Sequence, residues 1–394
     1  MAGARRIGIL TGGGDVPGLN SVIKSVVYQT TNMGIEVLGI RRGWEGLTHL
    51  DKTASLDPKY ILPLDRANTH GIDRTGGTIL HTSRTNPSKV RRSSLPKHVP
   101  AEALKPLEIA DGLYDLTPVV LENLAHLGIE CLIAIGGDDT LSFAKALDSK
   151  GMRVIGVPKT MDNDVQGTEY CIGFSTAITR AKDAITRQRT SLGSHERIGV
   201  FRIFGRDAGF TALYTAYVTG SRCVIPEVEF DLDRVIELLV QDKQNHPSHY
   251  SLIVASEGAT WRGHSVSEYG EADAFGHKKK TDIGQALGEE IKRRTGNETM
   301  ISDLTYDLRG GEPDAFDQMV ATTFGNIAVD LIREGSYGRL VGVQAGKYTH
   351  APLPDPKLGP RPLDVAKLYN STRYRPHYSG KLGAPLFLTS VGSQ

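Results

Sequence analysis

Cysteine is nearly absent from this chain: Cys131, Cys171 and Cys223 are the 3 thiols in 394 residues. So few, each beside apolar neighbours, exclude a disulfide framework and predict buried thiols in a reducing compartment. No run of about 18 apolar residues occurs, which excludes a hydrophobic transmembrane helix. Arg5 and Arg6 precede an apolar stretch covering only residues 7–10, cut off by glycines and Asp15. That is too short for a secretory signal, and a cytoplasmic protein is expected. Neither sign of charge dominates: 46 Lys plus Arg against 45 Asp plus Glu leave +1. No nucleic-acid or anionic-membrane partner is expected, so an anionic substrate must be met by local clusters of Arg and Lys. None of the 12 histidines stands at metal-ligand spacing. H-E-x-x-H, a cysteine cluster, the G-x-S-x-G elbow and the Walker loop are all missing, which removes zinc hydrolases, serine hydrolases and P-loop enzymes.

What the chain has is alternation. Apolar strand, glycine-rich turn and amphipathic helix recur in order. Residues 7–10 lead through Gly12-Gly13-Gly14-Asp15-Val16-Pro17-Gly18 into a helix over 19–32, then a strand over 35–40. Residues 132–135 lead through Gly136-Gly137 into a helix over 141–149, then a strand over 154–157. Residues 198–204 lead through Gly205-Arg206-Asp207-Ala208-Gly209 into a helix over 210–219, and 250–255 and 340–343 add strands. This pattern predicts an α/β fold with open, mostly parallel sheets covered by helices. Its length suits two or three lobes, and ligands are expected beyond the carboxyl ends of the strands. Residues 86–118, with five prolines and the basic cluster Lys89, Arg91 and Arg92, look like an addition, as does the tail. That cluster and Lys278 to Lys280 are expected to be solvated faces.

Two loops carry the densest chemistry. Gly136-Gly137-Asp138-Asp139-Thr140 and Pro158-Lys159-Thr160-Met161-Asp162-Asn163-Asp164 each follow a strand. Together they gather four carboxylates and an ammonium at neighbouring strand ends. Phosphoryl transfer needs a cation on the phosphate oxygens, fixed positive groups and a base for the attacking hydroxyl. Asp138 and Asp139 supply hard oxygen ligands. Asp162 and Asp164, two apart, face one side if extended and raise each other's pKa, which suits a proton acceptor. A simple turn-capping role is the competing explanation for one such pair, and two acidic loops at successive strand ends weigh against it. The first loop can face an anion with its backbone N–H groups. It is not a dinucleotide fingerprint, because Gly18 comes one residue late. Arg84, Arg197, Arg206 and Arg309 stand beside glycine-rich turns or strand ends and can clamp a sugar phosphate.

In order and context, these loops resemble the phosphofructokinase family over about residues 5–350. The matching pieces are Gly13-Gly14-Asp15-Val16-Pro17-Gly18-Leu19-Asn20, Gly76-Gly77-Thr78, Gly136-Gly137-Asp138 and Thr160-Met161-Asp162-Asn163-Asp164. Gly205-Arg206-Asp207-Ala208-Gly209 and Pro226-Glu227-Val228-Glu229-Phe230 complete them. The resemblance implies one catalytic unit of two Rossmann-like lobes phosphorylating the C1 hydroxyl of fructose 6-phosphate, a step of glycolysis and gluconeogenesis. Residues 1–173 plus 308–350 would form the donor lobe and 174–307 the sugar-phosphate lobe, with 86–118 an insertion and 351–394 an extension. By position, Asp162 is the expected base, Asp138 the Mg2+-associated carboxylate, and Thr160 and Asp164 hold sugar and base. Gly13 and Arg84 meet the donor, and Arg206 lies beside the transferring phosphate. Glu257 meets the sugar hydroxyls and Arg309 the 6-phosphate. Arg197 is expected to reach a neighbouring subunit's site, implying a homodimer or homotetramer with shared active sites.

Donor choice falls to Asp139 and Lys159. ATP-using members of the family typically carry glycine at both positions, and members using inorganic pyrophosphate resemble this chain. A carboxylate at 139 crowds and repels the α-phosphate of ATP, and Lys159 offers a point charge to the shorter donor. A reversible, pyrophosphate-dependent enzyme is therefore expected. At the acceptor end, Tyr306-x-x-Arg309 also looks like the pyrophosphate subgroup. Phe204 and Met300 depart from the ATP-type pattern, which has methionine and a second cross-subunit arginine there. Lys292, Arg293 or Arg294 is a candidate substitute for that arginine. Sedoheptulose 7-phosphate stays open as an acceptor, and an ATP-dependent enzyme, an NAD kinase-like enzyme and a non-catalytic metabolite-binding subunit are the rival readings.

Overall fold

Runs rich in Ile, Val and Leu, bounded by glycine turns, form two separate sheets in the computed structural model. It describes residues 5–52, 56–263, 268–269, 279–280 and 282–378. Lys278 of the basic run and residues 379–394 of the tail lie outside these. The larger sheet has seven strands, in the spatial order Lys347–Pro352, Arg339–Gln344, Val154–Pro158, Cys131–Gly136, Arg6–Thr11, Glu36–Ile40 and Ile61–Leu64. Its five inner strands are parallel and each edge strand is antiparallel. The smaller sheet has four parallel strands, ordered Arg222–Val224, Ser251–Ser256, Ile198–Ile203 and Thr299–Leu304. The α/β class with mostly parallel sheets is thus as the alternation predicted.

Strands that are covered on both faces read as continuous apolar runs. Cys131–Gly136 and Val154–Pro158 are buried along their whole length. The helices Leu19–Asn32 and Ala315–Glu334 pack on each other over the larger sheet. A Cβ on Gly325 would lie 2.8 Å from Ser25 Cβ, so the glycine permits the close crossing. Residues 86–118 hold a three-stranded sheet with its own cluster of Val90, Leu104, Tyr114 and Leu116. The chain after the larger sheet's last strand crosses to the smaller one. There Tyr369 Oη donates to Cys223 O at 2.7 Å.

The three thiols are free and buried. Burial pushes Cys131 up to about 12 and raises Cys171 and Cys223 as well, so none is a reactive thiolate. Among the described residues no helix is long and apolar enough to cross a membrane.

Candidate active site

The two acidic loops leave adjacent parallel strands at their carboxyl ends, where strand order places neighbouring loops side by side. The helix after Gly137 begins at Asp138, three residues earlier than the apolar pattern suggested. Asp138 and Asp139 therefore occupy its first turn, where carboxylates oppose the helix dipole favourably. Thr140 seats that turn against the first glycine loop. A Cβ on Gly12 would come within 2.5 Å of Thr140 Oγ1, and one on Gly136 within 2.3 Å of Thr140 Cβ.

These loops open onto a cleft of about 730 Å3 that reaches from the larger sheet to the smaller. Gly13, Arg84, Asp138, Asp139, Lys159, Thr160, Asp162, Asp164, Arg206, Glu257, Tyr306 and Arg309 all line it. Arg197 does not. It precedes the strand Ile198–Ile203, whose other end delivers Phe204 and Arg206 to the cleft. Six residues of strand separate those ends by about 20 Å. Met300 pairs with Gly199 near the same far end. Lys292 is paired with Glu298, Arg293 with Glu290, and Arg294 with both Glu290 and Asp233.

Lys159 is buried, 4% exposed, and its Nζ donates to Gly14 O at 2.5 Å. Burial, then the charge of Arg309, lowers its ammonium to about 8, with Asp15 opposing. The Arg309 guanidinium, near the same loop, lies 4.4 Å over the Phe204 ring and 5.7 Å over Tyr306. Its Nε donates to Met161 Sδ at 3.4 Å. Gly14 must be glycine for this arrangement, since a Cβ there would sit 2.7 Å from Arg309 Nη1.

Asp162 and Asp164 would share one side only if the backbone between them were extended. The condition of an extended segment is not met, because Asn163 adopts φ 56° and turns the chain. The turn is held because Asn163 Nδ2 donates to Glu169 O at 3.0 Å and its Oδ1 accepts from Cys171 N at 2.7 Å. Both carboxylates still face the cleft. Asp162 accepts nothing at Oδ1, which is buried. Burial, then Asp164 and Glu257, raises its carboxyl well above the usual range, against Arg309 and Arg206. Burial, then Asp138, carries Asp164 up to about 7. Asp138 is likewise pushed up to about 7 by burial and by Asp139, Asp207 and Asp162. Carboxylates crowded in this way favour a cation or a proton between them. No group of three or more His, Cys, Asp and Glu among the described residues can hold a metal alone.

Several lining residues had no signal in the sequence. Arg202 is the penultimate residue of its strand, and pairs with Glu257 at 3.1 Å and Asp303 at 2.7 Å and so orients Glu257. Pro354, Asp355, Pro356, Gly359 and Pro360 close one wall from the tail, which no local pattern ties to the site. Asp15 and Asp207 lay inside glycine-rich loops already singled out, and their acidity was the available cue.

A cleft that sets crowded carboxylates against fixed cations at strand ends belongs to phosphotransferase chemistry. The phosphofructokinase family model matches residues 6–332. A pyrophosphate–fructose 6-phosphate 1-phosphotransferase of Streptomyces coelicolor is 37% identical over 365 residues, 92% of this chain and 97% of that protein. The enzyme of the same name from Amycolatopsis methanolica is 39% identical, covering 86% of this chain and 90% of its own. An ATP-dependent 6-phosphofructokinase of Corynebacterium efficiens is 38% identical, with coverage of 87% and 90%. The structure of a pyrophosphate-dependent phosphofructokinase from Marinobacter aquaeolei superposes with a TM-score of 0.70 at 19% identity, covering 95% and 89%, which is a likeness of fold. The chain belongs to the phosphofructokinase family, and it is an enzyme of the phosphotransferase class.

Proposed function

We propose that this enzyme reversibly transfers a phosphoryl group from inorganic pyrophosphate to the C1 hydroxyl of fructose 6-phosphate. The observation that carries the donor reading is Lys159, a buried ammonium fixed on the glycine loop in the same cleft as Asp139. A short donor with charge at both ends suits that pair, whereas Asp139 opposes an α-phosphate continuing past the transferred group.

In this mechanism Asp162 takes the proton from the C1 hydroxyl as that oxygen attacks phosphorus. The P–O–P bond breaks, phosphate leaves, and Arg206 and Lys159 stabilise the charge spread over the transferring oxygens. Thr160 and Asp164 fix the base and the sugar. Gly13 and Arg84 hold the donor, Glu257 holds the sugar hydroxyls, and Arg309 with Tyr306 receives the 6-phosphate. Asp138 with the phosphate oxygens would hold Mg2+, which when bound neutralises the donor's charge. Residues 1–173 with 308–350 serve as the donor lobe and 174–307 as the sugar-phosphate lobe. Arg197, remote from its own cleft, completes a neighbouring subunit's site in a cytoplasmic homodimer or homotetramer.

The test is formation of fructose 1,6-bisphosphate from fructose 6-phosphate with magnesium, with pyrophosphate and ATP compared as donors. Turnover with pyrophosphate alone supports the roles of Asp139 and Lys159. The similarity to ATP-dependent relatives makes ATP the second reading. Turnover with ATP alone would remove the donor argument and keep the chemistry.

A further inference from the structure

The acidic catalytic loop is held by a residue far away in sequence. After the larger sheet ends, residues 354–360 pass along the wall of the cleft, and the chain then runs Pro360-Arg361-Pro362. Arg361 Nη2 donates to Asn163 O at 2.6 Å, and its backbone N–H donates to Asp164 O at 2.5 Å. The guanidinium lies 4.3 Å over the ring of Phe210. That ring opens the helix Phe210–Thr219, whose Thr211 Oγ1 donates to Met161 O at 2.7 Å.

The carbonyls of Met161, Asn163 and Asp164 are thus gripped from two directions. Asn163 holds a left-handed backbone that costs a non-glycine residue energy, and such a conformation persists only where its surroundings over-determine it. Arg361 supplies the contact to its carbonyl. The prolines on each side fix their own φ and bias Arg361 to an extended backbone, so the side chain is presented with little freedom to lose. Arg361 is not needed to dock the tail. Leu353 and Leu363 are buried, Tyr369 Oη donates to Cys223 O, and Asp231 N donates to Tyr374 Oη at 2.9 Å.

We propose that Arg361 is a positioning residue for the reaction, holding the turn that aims the carboxylates of Asp162 and Asp164 into the cleft. This rests on the assignment of Asp162 as the base. A positioning contact acts on the turnover step more than on binding, because a displaced base fails in the transition state while the phosphate sites stay intact. A misplacement of about 1 Å can cost on the order of a hundredfold in rate.

The experiment compares steady-state kinetics and thermal unfolding of the full chain with those of Arg361→Met, Arg361→Ala and Arg361→Lys. Methionine keeps a stem over Phe210 and removes the side-chain donor, so comparison with alanine separates lost packing from the lost hydrogen bond. The expected result is a fall in kcat of about ten- to a hundredfold for Arg361→Met, with KM for both substrates within about threefold. Lysine, which still donates, recovers part of the loss. The proposal is overturned if folded Arg361→Met turns over within threefold of the parent, if KM rises while kcat holds, or if lysine restores nothing. Each ratio is taken with whichever donor the parent uses. A parent that uses only ATP therefore ends the donor reading without touching the Arg361 result.

Discussion

Asp162 is the proposed base, and its environment favours that role. Its Oδ1 is buried with no donor, and burial with neighbouring Asp164 and Glu257 makes the carboxylate a stronger base than a solvated one. Asp162→Asn keeps the shape and removes the proton acceptor. It should lower kcat by about a hundred- to ten-thousandfold and leave KM for fructose 6-phosphate near that of the parent. A variant within tenfold of the parent would mean another group takes the proton. Lys159 gives a second test, through pH. With its ammonium lowered to about 8, it is charged below that value and neutral above it. Pyrophosphate KM should therefore be flat on the acid side and climb as pH passes about 8. Lys159→Gly is the reference that carries only the donor's own ionisation, and its pyrophosphate KM should be about tenfold higher or more at neutral pH. A climb of equal steepness in both proteins would sink the assignment. The double change Asp139→Gly with Lys159→Gly should depress pyrophosphate use further, and undiminished turnover would remove both residues from donor choice.

Elements matter here mainly through the close approaches they permit. Gly14 lets the Arg309 guanidinium lie against the first glycine loop, where the proposed donor and sugar-phosphate groups would meet. Gly14→Ala forces that guanidinium to shift, and KM for fructose 6-phosphate should rise by about tenfold while the unfolding midpoint barely moves. A normal KM would show that Arg309 has slack. The start of the helix Ala315–Glu334 is tied differently. Buried Asp317 accepts from Tyr170 Oη at 2.7 Å, Gly173 N at 2.9 Å, and Thr176 N and Oγ1 at 2.8 and 2.6 Å. It pins the start of the helix Phe174–Ser194 to the larger sheet's helical cover. Asp317→Ala would strand those donors in the interior and should cost at least about 3 kcal/mol, read as a lowered denaturant midpoint. A midpoint equal to the parent's would mean that water replaces the carboxylate.

At the scale of the whole molecule, Arg197 is the test of assembly. It stands about 20 Å of strand away from the residues its own chain sends to the cleft. If subunits share sites, Arg197→Ala and Asp162→Asn should each be nearly inactive alone. Co-expressed, they should regain activity, because hybrid assemblies contain some sites free of both changes. Mixtures no more active than the two parents would confine Arg197 to a structural part.

Much of the site was legible because phosphate chemistry is written locally. A glycine turn after an apolar strand, with carboxylates or arginines inside it, carries both its geometry and its charge in a few consecutive residues. That is why Asp138, Asp139, Lys159, Asp162, Arg206 and Arg309 were found from spacing and family resemblance, and why all reach one cleft. The α/β class followed for the same reason, since strand and helix periodicities are local. The turn at Asn163 was not legible in the spacing, because it is held by the fit of the Asn163 amide to Glu169 and by a contact from Arg361 that only the tertiary structure supplies. Tertiary structure alone brought Arg202 to Glu257 and Arg361 to the catalytic loop, because those contacts join residues 55 and 198 positions apart. Periodicity reports which face of an element is apolar; which elements meet is settled by how the two sheets pack and where the tail crosses between them.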